Sequence, residues 1–331
     1  MFFNSNKFIV SPLFFYESKF TNSLLCLSSD FKYNNDIHFQ SIYCNNSNFD
    51  FCIDNSSINN VSVIEFEKNN FEGGNLSFKY SNLEGSILIF KDCILNTFLN
   101  ISLKGCKGIR FDSEVVNNGI ININAKNKFD FLSIEGLLNI GTIEIDWVKN
   151  NVKDLIIRGQ CGSYLDLAKQ FLILKESYNK LGYYDYEDEA YILFKRYQMK
   201  NDLKEFLEYN NIFKKIWGLT KYLNKKIVFD YIGEFGMNPI RIGGSMFLVI
   251  LLFGIIYAFC PYIEFAGTNM HADILSKLYE SLYFSGITFL TIGYGDIQPI
   301  GLTRILTIIE GFLGLFLMSY FVVAFSRKVI R

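Results

Sequence analysis

Near the C-terminal end of the chain, Thr291-Ile292-Gly293-Tyr294-Gly295-Asp296 gathers a hydroxyl, two glycines around one aromatic, and a carboxylate into six residues. That set suits one kind of chemistry, the coordination of a bare cation by backbone oxygen. Glycine reaches backbone angles that a Cβ forbids, so Gly293 and Gly295 allow successive carbonyls to turn toward one line. Thr291 can add a hydroxyl oxygen at the inner end, and Asp296 a negative charge at the outer end. A single loop encloses nothing; rings of oxygen that replace an ion's water require several copies around a shared axis. A lone Gly-Tyr-Gly is also an ordinary turn, and its setting decides between the two. Here Thr288 stands three residues before Thr291, Asp296 follows the second glycine, and Pro299 ends the run.

The elements that must hold this loop are legible on both sides. Two apolar segments, residues 242–263 and 302–325, flank it, and the first carries no charge from residue 243 to 263. About 20 apolar residues suffice for a helix to cross a hydrocarbon core of roughly 30 Å. Between them, Asp273 or Ser276 is expected to cap a half-helix that runs to Leu290 and turns its partly negative end toward the loop. Lys225, Lys226 and Arg241 precede the first segment, and Arg327, Lys328 and Arg331 follow the second. The connection between them holds Lys277 against Glu264, Asp273, Glu280 and Asp296. Positive charge marks the cytoplasmic side, so both termini are expected in the cytoplasm of a cell (plasma or inner) membrane protein, with the loop outside.

Residues 236–331, under a third of the chain, resemble the pore of two-span, pore-loop potassium channels. The resemblance implies a homotetramer in a lipid bilayer, potassium as the permeant ion, no cofactor and no enzymatic step. It assigns ion sites to the carbonyls of Thr291, Ile292, Gly293 and Tyr294, with Gly295 completing the filter. Thr288 and Asp296 would support that filter. Tyr283 occupies the position of an aromatic donor to Asp296, and the side chains of Ile292 and Tyr294 would point away from the axis and brace the loop. Gly311 and Gly314 become candidate gating hinges, with Gly314 at the family's position; close packing between helices is the competing reading. This sequence departs from the pattern at Leu290, where a hydroxyl residue is common, and at Ile287, where some members bury an acid. Glu310 is the one charge between residues 305 and 325. It either faces the inner cavity and tunes cation occupancy, or is a protonated or hydrogen-bonded structural carboxyl behind the half-helix. Arg304 reads as an interfacial anchor, and no span carries the repeated arginines of a voltage sensor.

The rest of the chain reads as two further parts, giving boundaries at 1–160, 161–238 and 239–331. The composition is unusual for its 34 Phe and 20 Tyr against 4 Pro, and the net charge of −1 gives nucleic acid no basic surface to bind. From residue 31 to 151, short alternating runs such as Gly85-Ser86-Ile87-Leu88-Ile89-Phe90 lie between Asn and Gly clusters, which predicts strands. The near-copies Asn70-Phe71-Glu72-Gly73 and Asn82-Leu83-Glu84-Gly85 suggest a repeating coil, so a cytosolic β-solenoid is expected, with a β-sandwich as the alternative. A ragged five-residue period gives it a weak likeness to pentapeptide-repeat proteins. His38 stands alone and reads as structural. Leu167, Phe171, Leu174, Tyr178 and Leu181 then mark one helical face, Gly182 a stop, and Ala190, Leu193, Phe194 and Tyr197 a second helix. This hairpin is either a coupling element or a packing spacer.

Ile216, Leu219, Leu223, Ile227 and Tyr231 form an apolar stripe beside Lys221, Lys225 and Lys226. That fits a helix lying in a membrane surface, or one packed on protein. Asn238-Pro239 is expected to break it. Cys26, Cys44, Cys52, Cys93, Cys106, Cys161 and Cys260 lack paired metal spacing and read as reduced, buried residues, with disulfides or zinc as the other readings. Residues 1–20 lack the small-residue cleavage site of a signal peptide. Two rival functions remain, a weakly selective cation channel and a membrane-anchored β-solenoid binding protein. The ligand or protein partner of the β region and the gating stimulus have no signature in the sequence.

Overall fold

The computed structural model describes residues 63–82, 85–104, 106–124, 129–159, 162–259, 264–266, 274–301 and 303–331, with backbone only for 79–82, 103, 104 and 264–266. Of the first 62 residues it describes the backbones of seven short strands between Phe2 and Phe51. The readings of His38 and of the five cysteines other than Cys93 and Cys106 fall on side chains outside the described residues. Two compact units, Met1–Glu205 and Phe206–Arg331, divide the chain.

In the first unit every described strand pair is parallel. Val63, Ile87, Gly108 and Phe131 align in one column, and Phe98, Ile120 and Thr142 in another. Each turn of the coil therefore consumes 21 to 24 residues there, and 27 where Ile37 aligns with Ile64. This is a β-solenoid of two sheets, whereas a sandwich would pair its strands antiparallel. The spacing that stacks is the whole turn rather than five residues. Asn70 and Asn82 begin and end one strand, so the near-copies they open do not lie one above the other.

A single turn cannot bury its own apolar face, and stacking turns supplies the cover. Strands Val63–Glu67 and Ile87–Lys91 alternate half-buried and buried residues along their length. Their inward positions form columns: Phe66, Phe90 and Phe111 stack nearly parallel, with ring centroids 5.1 and 5.2 Å apart. Across the core, Leu76, Leu99, Ile121 and Ile143 form a matching column, all fully buried. One corner is built by backbone on backbone. A Cβ on Gly141 would lie 1.9 Å from the Gly119 carbonyl oxygen, and one on Gly119 2.0 Å from that of Thr97. Beside it Asn117 Nδ2 donates to Asn139 Oδ1 at 2.6 Å.

The last turn would expose an edge of unpaired backbone groups. Helices α1 (Val152–Arg158), α2 (Tyr164–Leu181) and α3 (Tyr184–Glu208) follow it. Ser163 and Asp166 start α2 with a reciprocal capping box, and Gly182 ends it at φ 74°. Leu167, Phe171, Leu174 and Tyr178 are buried as their spacing predicts, and Ala190 and Leu193 of α3 join the same core. The polar residues of that face meet the edge. Gln170 Oε1 accepts from the Ile134 N–H at 2.9 Å, Ser177 Oγ from the Ile143 N–H at 3.2 Å, and Tyr178 Oη donates to the Ile145 carbonyl at 3.0 Å. The helical hairpin thus closes the coil and shares its core.

The second unit is helical. α4 (Ile212–Lys225) runs into a wider π turn, Lys226–Tyr231. α5 (Pro239–Phe259) opens with proline at its first position, and Asn238 Oδ1 accepts from the Arg241 N–H at 3.1 Å. α6 (Ile274–Phe289) and α7 (Thr303–Ile330) follow. Ser276 lies inside α6, because the helix starts two residues before it, and so does not cap; Asp273 is outside the described residues. α5 and α7 are long and apolar enough to cross a membrane, with mean hydropathies of 2.4 and 2.1 over their best stretches.

Leucine at position 170 would keep the volume but leave the buried Ile134 N–H without a partner, a cost of about 1–3 kcal/mol offset in part by removal of the buried, unpaired Gln170 Nε2. A lower denaturation midpoint of the first unit and faster amide exchange at Ile134 are expected; unchanged exchange at Ile134 would remove Gln170 from the capping role. Cys93 and Cys106 are free and buried, and burial pushes both thiols up to about 12. Since the thiolate is the reactive form, both should resist alkylation in the folded protein near pH 8 and react once it unfolds. Peptide mass mapping after brief labelling checks this, and rapid modification of the folded form would contradict it.

Candidate functional site

The loop begins where α6 stops, and a backbone motif sets that point. Thr291 takes φ 57°, and the N–H groups of Thr291 and Ile292 turn back to the carbonyls of Thr288 (3.0 Å) and Ile287 (2.8 Å). This is a Schellman cap with a threonine where glycine is usual. A β-branched residue in the left-handed region is strained by about 1–3 kcal/mol, a feature that clusters at functional sites. The left-handed conformation recurs at Gly293 (φ 58°) and Gly295 (φ 82°) but not at Ile292 or Tyr294. A Cβ at either glycine would meet open space, so these positions answer to backbone angle and not to crowding. Among the described residues, no group donates a hydrogen bond to the carbonyls of Thr291, Ile292, Gly293 or Tyr294.

The flanks of the loop are held. Tyr283 Oη donates to Asp296 Oδ2 at 2.9 Å, and Asp296 Oδ1 accepts from the Ile297 N–H at 3.1 Å. Beyond it, strand Gln298–Ile300 pairs antiparallel with Glu264–Ala266, and Arg304 Nε donates to the Pro299 carbonyl at 3.2 Å. The middle of the loop has no such support. Ile292 is 47% exposed and Tyr294 70% exposed, beside a cleft of about 430 Å³ lined by Phe284, Thr288, Thr307 and Gly311. Leu290 is exposed, and Ile287 is buried beneath the loop.

α7 forms the wall behind α6. It continues without a break through Gly311 and Gly314. A Cβ on Gly314 would lie 2.1 Å from the Phe289 carbonyl oxygen, in the last turn of α6, whereas one on Gly311 would come no nearer than 3.9 Å to the Thr288 carbonyl oxygen. Gly314 is therefore a point of backbone contact. Glu310, one turn earlier, is fully buried. Its Oε2 accepts from Tyr257 Oη of α5 at 2.7 Å, and its Oε1 is in hydrogen-bond contact with Ser285 Oγ of α6. Ser285 Oγ also donates to the Ile250 carbonyl of α5 at 2.9 Å. Sequence reasoning reached neither Tyr257 nor Ser285, nor Gly254 of α5, where a Cβ would lie 2.5 Å from Leu282 Cδ2. The visible signal was a lone acid within a candidate membrane span, whose cost there demands polar partners.

At the opposite end of α7, Tyr320 packs against the turn before α5. That turn runs through three consecutive left-handed residues, Glu234, Phe235 and Gly236. Arg241 Nη1 pairs with Glu234 Oε1 at 2.8 Å, and a Cβ on Gly233 would lie 2.9 Å from Tyr320 Cε1. Along α4 and the π turn, Ile216, Leu219, Leu223, Ile227 and Tyr231 are all exposed, as are Phe213 and Trp217.

Residues 245–331 match a family of proteins described as "Ion channel" (Ion_trans_2). The chain is similar to Protein LctB of Geobacillus stearothermophilus, 40% identical over 73 residues that make 22% of this chain and 52% of that protein. It is also similar to Protein LctB of Bacillus caldotenax, 52% identical over 42 residues, 13% of this chain and 31% of that protein. The chain thus spans about half the length of the first relative, and less of the second. No solved structure matches. The C-terminal segment thus matches an ion-channel family over residues 245–331 and carries two candidate membrane spans with the loop between them.

If Gly314 serves contact with α6, alanine there should destabilise the folded protein by about 1–3 kcal/mol, as overpacking does. Gly244→Ala, where a Cβ meets nothing within 4 Å, should be neutral. Thermal unfolding in detergent compares the two. A stable Gly314→Ala protein with altered open probability would support the hinge reading instead.

Proposed function

We propose that this chain forms a potassium-selective channel in which four copies surround one axis and pass ions down their electrochemical gradient. The observation that carries the reading is the run of four carbonyls, Thr291 to Tyr294, left without hydrogen-bond donors among the described residues while the backbone alternates in and out of the left-handed region. Oxygens so freed can take the place of an ion's hydration shell once other copies complete the rings. Non-helical backbone at membrane depth must be buried in protein or line a water-filled path. A single chain leaves this stretch bare, which supports assembly around it. The exposed Ile292 and Tyr294 would then brace the filter by entering clefts on neighbouring subunits.

Asp296, anchored by Tyr283, places four carboxylates at the outer mouth and attracts cations there. Thr288 supports the inner end by receiving the Thr291 N–H. Both termini lie in the cytoplasm under the positive-inside rule, and the first unit is a cytosolic scaffold or sensor. The exposed stripe of α4, with Lys221, Lys225 and Lys226 beside it, lies in the inner membrane surface among anionic headgroups.

Purified protein in liposomes, with opposed potassium and sodium gradients, should give a reversal potential near that of potassium. Gly293→Ala should abolish the flux, because its carbonyl can no longer hold the left-handed geometry. A reversal potential near zero would favour a weakly selective cation pore. No flux from well-folded protein would favour a membrane-anchored binding protein.

A further inference from the structure

Three hydrogen-bond contacts meet behind the loop, and counting their hydrogens constrains a charge. Tyr257 Oη lies 2.7 Å from Glu310 Oε2, Ser285 Oγ contacts Glu310 Oε1, and Ser285 Oγ lies 2.9 Å from the Ile250 carbonyl oxygen. A carbonyl and an ionised carboxylate are acceptors only, and each hydroxyl brings one hydrogen. Tyr257 and Ser285 together supply two hydrogens for three contacts. Tyr257 Oη donates to Oε2, and Thr307 Oγ1, which also bonds Tyr257 Oη and lies 2.8 Å from the Thr303 carbonyl oxygen, brings a hydrogen of its own and none to Ser285 or Oε1. If the Ser285 hydrogen serves Ile250, its contact with Oε1 holds two oxygens and no hydrogen, unless the carboxyl brings one.

We propose that Glu310 carries a proton on Oε1 and acts, as a neutral acid, as the residue that positions α6 and hence the filter. Glu310 Oε1–H donates to Ser285 Oγ, Ser285 donates to the Ile250 carbonyl, and Tyr257 donates to Oε2. Each contact of Glu310 and of Ser285 then has one hydrogen, and three helices are pinned at one buried point. The surroundings suit a neutral group: α5 presents Tyr257, α6 presents Ser285, and among the described residues no lysine, arginine or second carboxylate contacts Glu310. Ser285 lies one and a half turns before Thr291, so the pin acts on the last part of α6 before the loop. This role rests on the reading of that loop as a filter; the proton itself does not.

The consequence is a sign that an ion-attracting carboxylate would not give. Glutamine offers the same map as the protonated acid, an N–H toward Ser285 and an oxygen toward Tyr257, whereas alanine offers neither. Loss of the Oε1 proton to hydroxide at alkaline pH would leave a charge in an apolar site and remove the hydrogen from one contact. Full-length protein in lipid vesicles is the material for the test. Glu310→Gln should keep most of the potassium flux, and Glu310→Ala should lose roughly tenfold or more as buried partners go unpaired. Wild-type flux should fall reversibly on alkalinisation while that of Glu310→Gln does not. Tyr257 remains in both proteins, so its own titration cancels in that comparison.

Infrared spectra decide the proton without reference to conduction. Wild type minus Glu310→Gln at neutral pH should contain a carboxylic-acid C=O band that shifts in D2O. If that variant does not fold, neutral minus alkaline wild type should show the same band. Carboxylate bands alone, or a folded Glu310→Gln as inactive as Glu310→Ala, would overturn the proposal. Absence of flux from wild type together with the acid band would reject the filter reading and keep the proton.

Discussion

A chain that stops being helical between two membrane spans must find partners for its backbone, since hydrocarbon supplies none. The segment after α6 meets this rule in two ways. Its first N–H groups turn back onto the carbonyls of Ile287 and Thr288, and the aspartate that follows takes the Ile297 N–H while Tyr283 holds the carboxylate. Between these anchors the carbonyls from Thr291 to Tyr294 receive no donor among the described residues. The anchors consume donors and leave acceptors, an asymmetry that suits a cation.

The same rule governs the first unit with a different solution. A parallel coil satisfies its backbone by stacking one turn on the next, so only its ends carry a debt. At the C-terminal end, Gln170, Ser177 and Tyr178 of α2 meet the exposed groups of the last turn. These polar residues sit on the apolar face of the helix, among Leu167, Phe171 and Leu174. Their burial would be costly without such partners, and the partners would be costly without them.

Much of this was legible before any coordinates. The 4-3-4 spacing from Leu167 to Tyr178 named the buried face of α2, and the loop with its two apolar flanks located the segment that matches an ion-channel family. The coil's period was harder, because turns of 21 to 27 residues blur any fixed repeat. A signal was nevertheless present in Asn117-Asn118-Gly119 and Asn139-Ile140-Gly141, whose glycines stack backbone on backbone. The near-copies at Asn70 and Asn82 drew attention instead and belong to one strand. Glu310 stood out by charge alone, but its partners lie 25 and 53 residues away, and no local pattern points to them. Gly314 gave a residue type without a reason, since hinge and contact both call for glycine.

The contact at Gly314 bears on how α7 could move. Phe289, whose carbonyl faces Gly314, is the last residue of α6 and lies two before Thr291. Glu310, one turn earlier on α7, reaches α6 through Ser285. Two successive turns of α7 thus grip the final stretch of α6, one by backbone approach and one by hydrogen bonds. A bend centred on Gly314 would have to break the first grip or carry the end of α6 with it. Below that point Tyr320 rests against the turn that begins α5, so the far half of α7 has its own attachment. Bending α7 between these attachments would shift the helix that presents the loop. In this unit α7 and the loop's geometry are mechanically coupled, so a displacement of either must be accommodated by the other.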